Sequence, residues 1–137
     1  MSKDKNIIDL EIELPSPEQL PEGLQKYFAV CKEKLGMIPN VLKAFSHEPN
    51  QLEFFSKIYN AIMFAETGLS PLEREMIAVV VSSKNHCFYC LTAHGQAVRQ
   101  YSKDPILGEK LVMNYKSIEL SPRQTKMLEF AEKLTLT

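Results

Sequence analysis

The stretch GLSPLEREMIAVVVSSKNHCFYCLTAHG, residues 68–95, holds one strong start signal and one break. Gly68 can close a preceding helix. Ser70 has an N-cap side chain, Pro71 suits the first helical position, and Glu73 stands three residues after the serine, completing a capping box. A helix should run from there through MIAVVVSS. The β-branched run at 79–81 favours a strand by propensity alone, but the cap and the length of the segment outweigh it. SKN at 83–85 interrupts the pattern, and a second helix is expected from about Asn85–Cys87 to about Tyr101. Two helices across so short a break form a hairpin.

The flanking sequence reads the same way. After the breaker PSPEQLPEG, Leu24, Phe28, Cys31 and Leu35 recur at helical spacing and Gly36 ends the run. IPNVLKAFSHEP reads as a turn and a short helix closed before Pro49. Residues 50–66 place Leu52, Phe55, Tyr59, Ile62 and Met63 on one stripe. DPILGEKLVMNY is a shorter helix, and Ser121 with Pro122 opens a last one, with Met127, Leu128, Ala131 and Leu134 in apolar register. Only DLEIEL at 9–14 alternates as a strand does; nothing clearly pairs with it, so residues 1–19 read as an extended arm. The expected fold class is all-α, with one helical domain over 20–137.

Composition narrows the function. In 137 residues, 45% are apolar and 24% charged, enough for a packed core. The formal net charge is −1 with no basic block, which argues against nucleic acid or an anionic membrane as partner. No apolar run approaches the roughly 20 residues of a membrane span. The first residues lack the apolar region of a signal peptide, so a cytoplasmic location is the default expectation. Three cysteines do not make a secreted disulfide framework, and a C-x-x-C pair inside a cell points to redox chemistry or metal.

On an ideal helix Cys87, Cys90 and His94 fall within roughly 60° of arc, together with Leu91, Ala97 and Val98. Tyr89, Thr92, Gln96 and Arg99 point the other way. Cys87 stands at the helix N-terminus and Cys90 in the first turn, where unpaired amides favour a thiolate. On the preceding helix the inward stripe is Leu72, Met76 and Val79, with Glu75 on it and Glu73 and Arg74 off it. A carboxylate there must find a partner or take up a proton. The facing Cys–Cys–His stripe offers one; Arg74 or Lys84 would make a structural ion pair instead. His86 reads as a cap or surface residue with a secondary claim to the site, and Cys31 as inert core.

Three chemistries compete. Zinc needs four ligands, and Cys87, Cys90 and His94 supply three, with His86 or a second chain as the fourth; the bulky CFYC lacks the glycine-bearing turn usual in structural zinc sites. A thioredoxin-like site would follow a strand in a βαβ pattern, which is absent. The third is a dithiol oxidoreductase on a helical scaffold, in which one cysteine attacks, the other resolves, and Glu75 with His94 moves protons.

The segment EREMIAVVVSSKNHCFYCLTAHG fits E-x11-C-x2-C-x3-H. It resembles the carboxymuconolactone decarboxylase superfamily on its alkylhydroperoxidase D-like side. LGMIPNVLKAFSHEP and GLSPLEREMIAVVVS further resemble its peroxidase-related branch. The resemblance runs from about residue 20 to the end and implies an all-helical bundle assembled into trimers or hexamers. It implies reduction of an organic hydroperoxide with electrons from a thiol donor, and no cofactor or metal. Residue by residue, Cys90 would attack the peroxide, Cys87 would resolve the sulfenate as a disulfide, and Glu75 and His94 would relay protons. Alkylhydroperoxidase D proteins carry a histidine before the second cysteine; here that position is Tyr89, which cannot relay protons near neutral pH as imidazole does. The alternatives are a general disulfide oxidoreductase using the same thiols, or a non-enzymatic zinc-binding or interaction module. Members of the branch usually continue with more helices than this chain contains.

Overall fold

A computed structural model describes residues 13–137. Residues 1–12, including most of the alternating stretch, lie outside the described residues; in the rest of the expected arm, Pro17–Gln19 forms one 3₁₀ turn. Seven α-helices follow: α1 Glu22–Leu35, α2 Asn40–Phe45, α3 Pro49–Phe64, α4 Pro71–Lys84, α5 Phe88–Ser102, α6 Leu107–Asn114 and α7 Pro122–Leu136. There is no strand among the described residues. The all-α expectation holds, and no helix there is long and apolar enough to cross a membrane.

The chain divides into two compact units, Met1–Ile62 and Met63–Thr137. In the first, Leu20, Leu24, Phe28, Cys31, Leu42 and Leu52 form the core, with Phe45 stacked on Phe55 at 4.6 Å between ring centroids. Gly36 ends α1 at φ 72°, the left-handed conformation a glycine tolerates. Leu35 and Ile62, both on expected inward stripes, are instead 62% and 61% exposed. Each lies in the last turns of its helix, where the periodicity continues beyond the core that covers it.

In the second unit the core is Met76, Val79, Val80, Val98, Leu111, Tyr115 and Leu128, drawn from α4, α5, α6, α7 and the 3₁₀ turn Tyr115–Ser117. The expected cap is present. The Ser70 hydroxyl accepts from the Glu73 N–H at 3.2 Å, and the Glu73 carboxylate accepts from the Ser70 N–H at 2.8 Å. Ser121 and Gln124 make the same box at the start of α7. α3 stops at Phe64, so Gly68 lies in the loop rather than closing the helix. Leu134 is 64% exposed, off the core that Leu128 and Ala131 enter.

α4 is the central element of this unit and packs on α5, α6 and α7. It is therefore covered on more than one side, which corrects the expectation that Glu73 and Arg74 lie off the inward face: both are buried. Arg74 donates to the Met63 carbonyl and the Thr67 hydroxyl, both at 2.8 Å, and to the Ala65 carbonyl. Glu73 accepts from Arg123 of α7 at 3.1 Å. These bonds fasten the loop before α4 and the start of α7 to the first turns of α4.

Candidate functional site

The break between α4 and α5 sits at Asn85–Cys87. His86 takes φ 53°, a left-handed conformation that stops α4 from continuing. The Ser82 carbonyl accepts the Cys87 N–H at 3.0 Å, so the chain leaves α4 and re-enters helix within a few residues. Cys87 is the N-cap of α5: its sulfur stands where a serine oxygen ordinarily would and accepts the Cys90 N–H at 3.4 Å. Both cysteines are half-buried and unbridged.

Glu75 and His94 meet across the hairpin. His94 Nδ1 lies 2.7 Å from Glu75 Oε2, with side-chain exposures of 21% and 10%. A carboxylate only accepts, so the imidazole donates through Nδ1. The competing partners for Glu75 are engaged elsewhere. Arg74 binds the Met63 and Ala65 carbonyls, and Lys84 pairs with Glu132 at 2.7 Å. Cys87 and Cys90 share the α5 face of His94, which follows Cys90 by one turn.

Cys90 corrects one expectation. Amides at a helix N-terminus do favour a thiolate, and its own N–H acts in that direction. Burial, then the hydrogen bond and charge of the neighbouring Cys87 sulfur, outweigh it and push the Cys90 thiol up to about 11. That upward shift favours the thiol form of Cys90.

Of the secondary candidates, His86 is exposed at the corner. Tyr89 is 40% exposed and its neighbour Phe88 82%, so an aromatic pair borders the dithiol on the solvent side. Cys31 lies in the first unit's core, where burial raises its thiol and keeps it unreactive. Among the described residues no group of three or more His, Cys, Asp or Glu side chains is placed to hold a metal ion. Sequence reasoning missed Ser82, buried on α4, whose carbonyl holds the Cys87 N–H at 3.0 Å. Its sequence position, i+7 from Glu75 and i+3 from Val79 on one stripe, is that of an ordinary small core residue.

A helical hairpin, rather than a strand-helix unit, carries the C-x-x-C pair, which sets this molecule among all-helical dithiol proteins and apart from thioredoxin-like ones. The chain belongs to the carboxymuconolactone decarboxylase family, whose model matches residues 49–133, and within it to the alkylhydroperoxidase D-like branch. An uncharacterised peroxidase-related protein from Silicibacter sp. TM1040 is 56% identical, over 98% of this chain and 70% of that one, with a TM-score of 0.86. An alkylhydroperoxidase AhpD core protein from Ralstonia eutropha JMP134, also uncharacterised and peroxidase-related, is 34% identical over 92% of this chain and 66% of that one, with a TM-score of 0.84. Among proteins of curated function, none matches it significantly.

Proposed function

We propose that the protein is a thiol-dependent peroxidase that reduces organic hydroperoxides through Cys90 and Cys87. The observation that carries this reading is the 2.7 Å Glu75–His94 pair on the hairpin face that also bears both thiols. A half-buried thiol pushed up to about 11 and an oriented imidazole one turn away form an acid–base couple suited to generating a nucleophile on demand.

His94 Nε2 takes the Cys90 proton, and the Glu75 carboxylate stabilises the imidazolium. The Cys90 thiolate attacks the terminal oxygen of the hydroperoxide. An S–O bond forms, the O–O bond breaks, and the alkoxide leaves with the electron pair and takes the proton from His94 as an alcohol. Cys90 is then a sulfenic acid. The Cys87 thiol attacks that sulfur, an S–S bond forms, and water leaves. Two electrons from an external dithiol donor restore both thiols.

The test is thiol titration before and after one equivalent of cumene hydroperoxide. The reading requires loss of two of the chain's three thiols and release of one equivalent of cumyl alcohol. An unchanged thiol count with the peroxide intact contradicts it. A second reading, disulfide exchange with a protein or small disulfide, is favoured by Tyr89 in place of the relay histidine and by the exposed Phe88 beside the thiols. It is marked by oxidation of the pair by a disulfide but not by the hydroperoxide.

The assembly belongs to the same proposal. Phe54, Ile58 and Ile62 of α3 are exposed at i, i+4 and i+8, as are Phe130 and Leu134 of α7, and apolar surface of this kind is commonly covered by another subunit. Light scattering should give a multiple of 15.6 kDa, a trimer or hexamer. A monomer mass at micromolar concentration contradicts that.

A further inference from the structure

Arg74, near the start of α4, is only 7% exposed. Its guanidinium donates to the Met63 and Ala65 carbonyls and to the Thr67 hydroxyl, and all three acceptors are neutral. A buried cation ordinarily meets a carboxylate, because burial without one leaves its charge uncompensated. The two carboxylates flanking it in the chain are engaged elsewhere, Glu73 by Arg123 at 3.1 Å and Glu75 by His94 at 2.7 Å. A guanidinium carries five N–H groups, so two remain for a further acceptor. Arg74 also lines an open cavity of about 500 Å³, a size that small ligands occupy. Phe64, Leu69 and Pro71 give the lining an apolar part, and Glu73, Arg123 and the exposed Glu66 contribute its other charges.

We propose that this cavity binds a small organic monocarboxylate, its carboxylate on Arg74 and its apolar body against Phe64, Leu69 and Pro71. The charges of the lining decide the class of ligand. Arg123 and Glu73 cancel as a pair, and Glu66 opposes an anion of high charge. Arg74 is left as one buried positive charge, which one carboxylate neutralises and a phosphate dianion exceeds. An alcohol of the same shape fills the apolar part and leaves that charge unmet. A hydrogen bond to a carboxylate from a guanidinium is charge-assisted, about twice as strong as a neutral one. The dithiol pair and the Glu75–His94 couple are not in this lining, so the site is separate from the thiol chemistry.

The test is isothermal titration calorimetry on the full chain at constant ionic strength, with benzoate, benzyl alcohol and inorganic phosphate as probes. Benzoate should saturate one site per chain, and the other two probes should bind at least about tenfold more weakly, the usual size of one hydrogen bond to a charged group. Arg74→Gln breaks three hydrogen bonds to the loop before α4, so the charge is tested from Leu69 in the same lining. Leu69→Glu gives the cavity a carboxylate of the protein's own and should weaken benzoate about tenfold or more. Leu69→Gln has the same size without the charge and should stay within about threefold of the parent, since only apolar contact is lost. Absence of benzoate binding to the parent overturns the proposal. So do equal affinities for benzoate and benzyl alcohol, tighter binding of phosphate, parent-like affinity in Leu69→Glu, and an equal loss in both Leu69 variants.

Discussion

At the scale of single residues, the proposed function turns on a thiol whose proton burial favours and on the Glu75–His94 pair as its acceptor. Glu75→Gln and His94→Gln preserve shape and hydrogen-bonding capacity, so both variants should fold. Both should react with hydroperoxide about 10²–10⁴-fold more slowly at pH 7. Without the base, Cys90 must lose its proton to solvent, and the variants' rates should climb about tenfold per pH unit toward 11, while the parent's profile stays flatter. Stopped-flow rates from pH 6 to 10 decide it, and variants that match the parent across that range would make the pair structural. Glu75 and His94 were legible because a polar residue interrupting an apolar stripe is conspicuous. Ser82 was not, since a serine on such a stripe passes for a small core residue. The upward shift of the Cys90 thiol was illegible too: the helix N-terminus is visible in the sequence, but the burial and the Cys87 sulfur contact that outweigh it appear only in the fold.

At the scale of elements, the start of α4 followed from its capping box, that of α7 from Ser121 and Pro122, and the hairpin from the break between two periodic runs. The burial of Glu73 and Arg74 did not, because a stripe drawn on one helix assumes a solvent side, and α4 lacks that simple division. Nor did the approach of α6 to α5 behind the site. A Cβ placed on Gly108 would lie 2.9 Å from the Gly95 carbonyl oxygen, a backbone atom that cannot swing aside. A Cβ on Gly95 would meet only the Arg99 guanidinium at 3.5 Å, an ordinary contact. Gly108→Ala should therefore cost about 1–3 kcal/mol by overpacking. It should also slow peroxide turnover, because Gly95 adjoins His94 and any shift of α5 moves the imidazole. Gly95→Ala should be neutral or stabilising by up to about 1 kcal/mol, since glycine is a poor helix former. Urea unfolding of the two variants measures both, and the same cost at each position would refute the close approach.

At the scale of the whole molecule, acid stability should depend on Glu132. Its carboxylate accepts from the Tyr115 hydroxyl at 2.6 Å and pairs with Lys84 and Lys116, each at 2.7 Å, joining α4 and the 3₁₀ turn to α7. Lys116, Lys84 and Tyr115 hold it down to about 2 from an ordinary 4.5. A depressed carboxylate stabilises the fold above its unfolded value, and that contribution is lost as pH falls from about 4.5 through about 2. Glu132→Gln should lower the thermal midpoint at pH 7 and flatten its decline across that window; a parallel decline in parent and variant would show that the network does not act this way. The function proposed for the molecule rests on which sulfur meets the peroxide, and one measurement reaches that directly. Cys87→Ser and Cys90→Ser are each exposed to one equivalent of cumene hydroperoxide, trapped with dimedone and sequenced by mass spectrometry. The account predicts a dimedone adduct on Cys90 in Cys87→Ser and none on Cys87 in Cys90→Ser. An adduct on Cys87 alone would invert the roles of the two thiols, and no adduct in either variant would end the peroxidase reading.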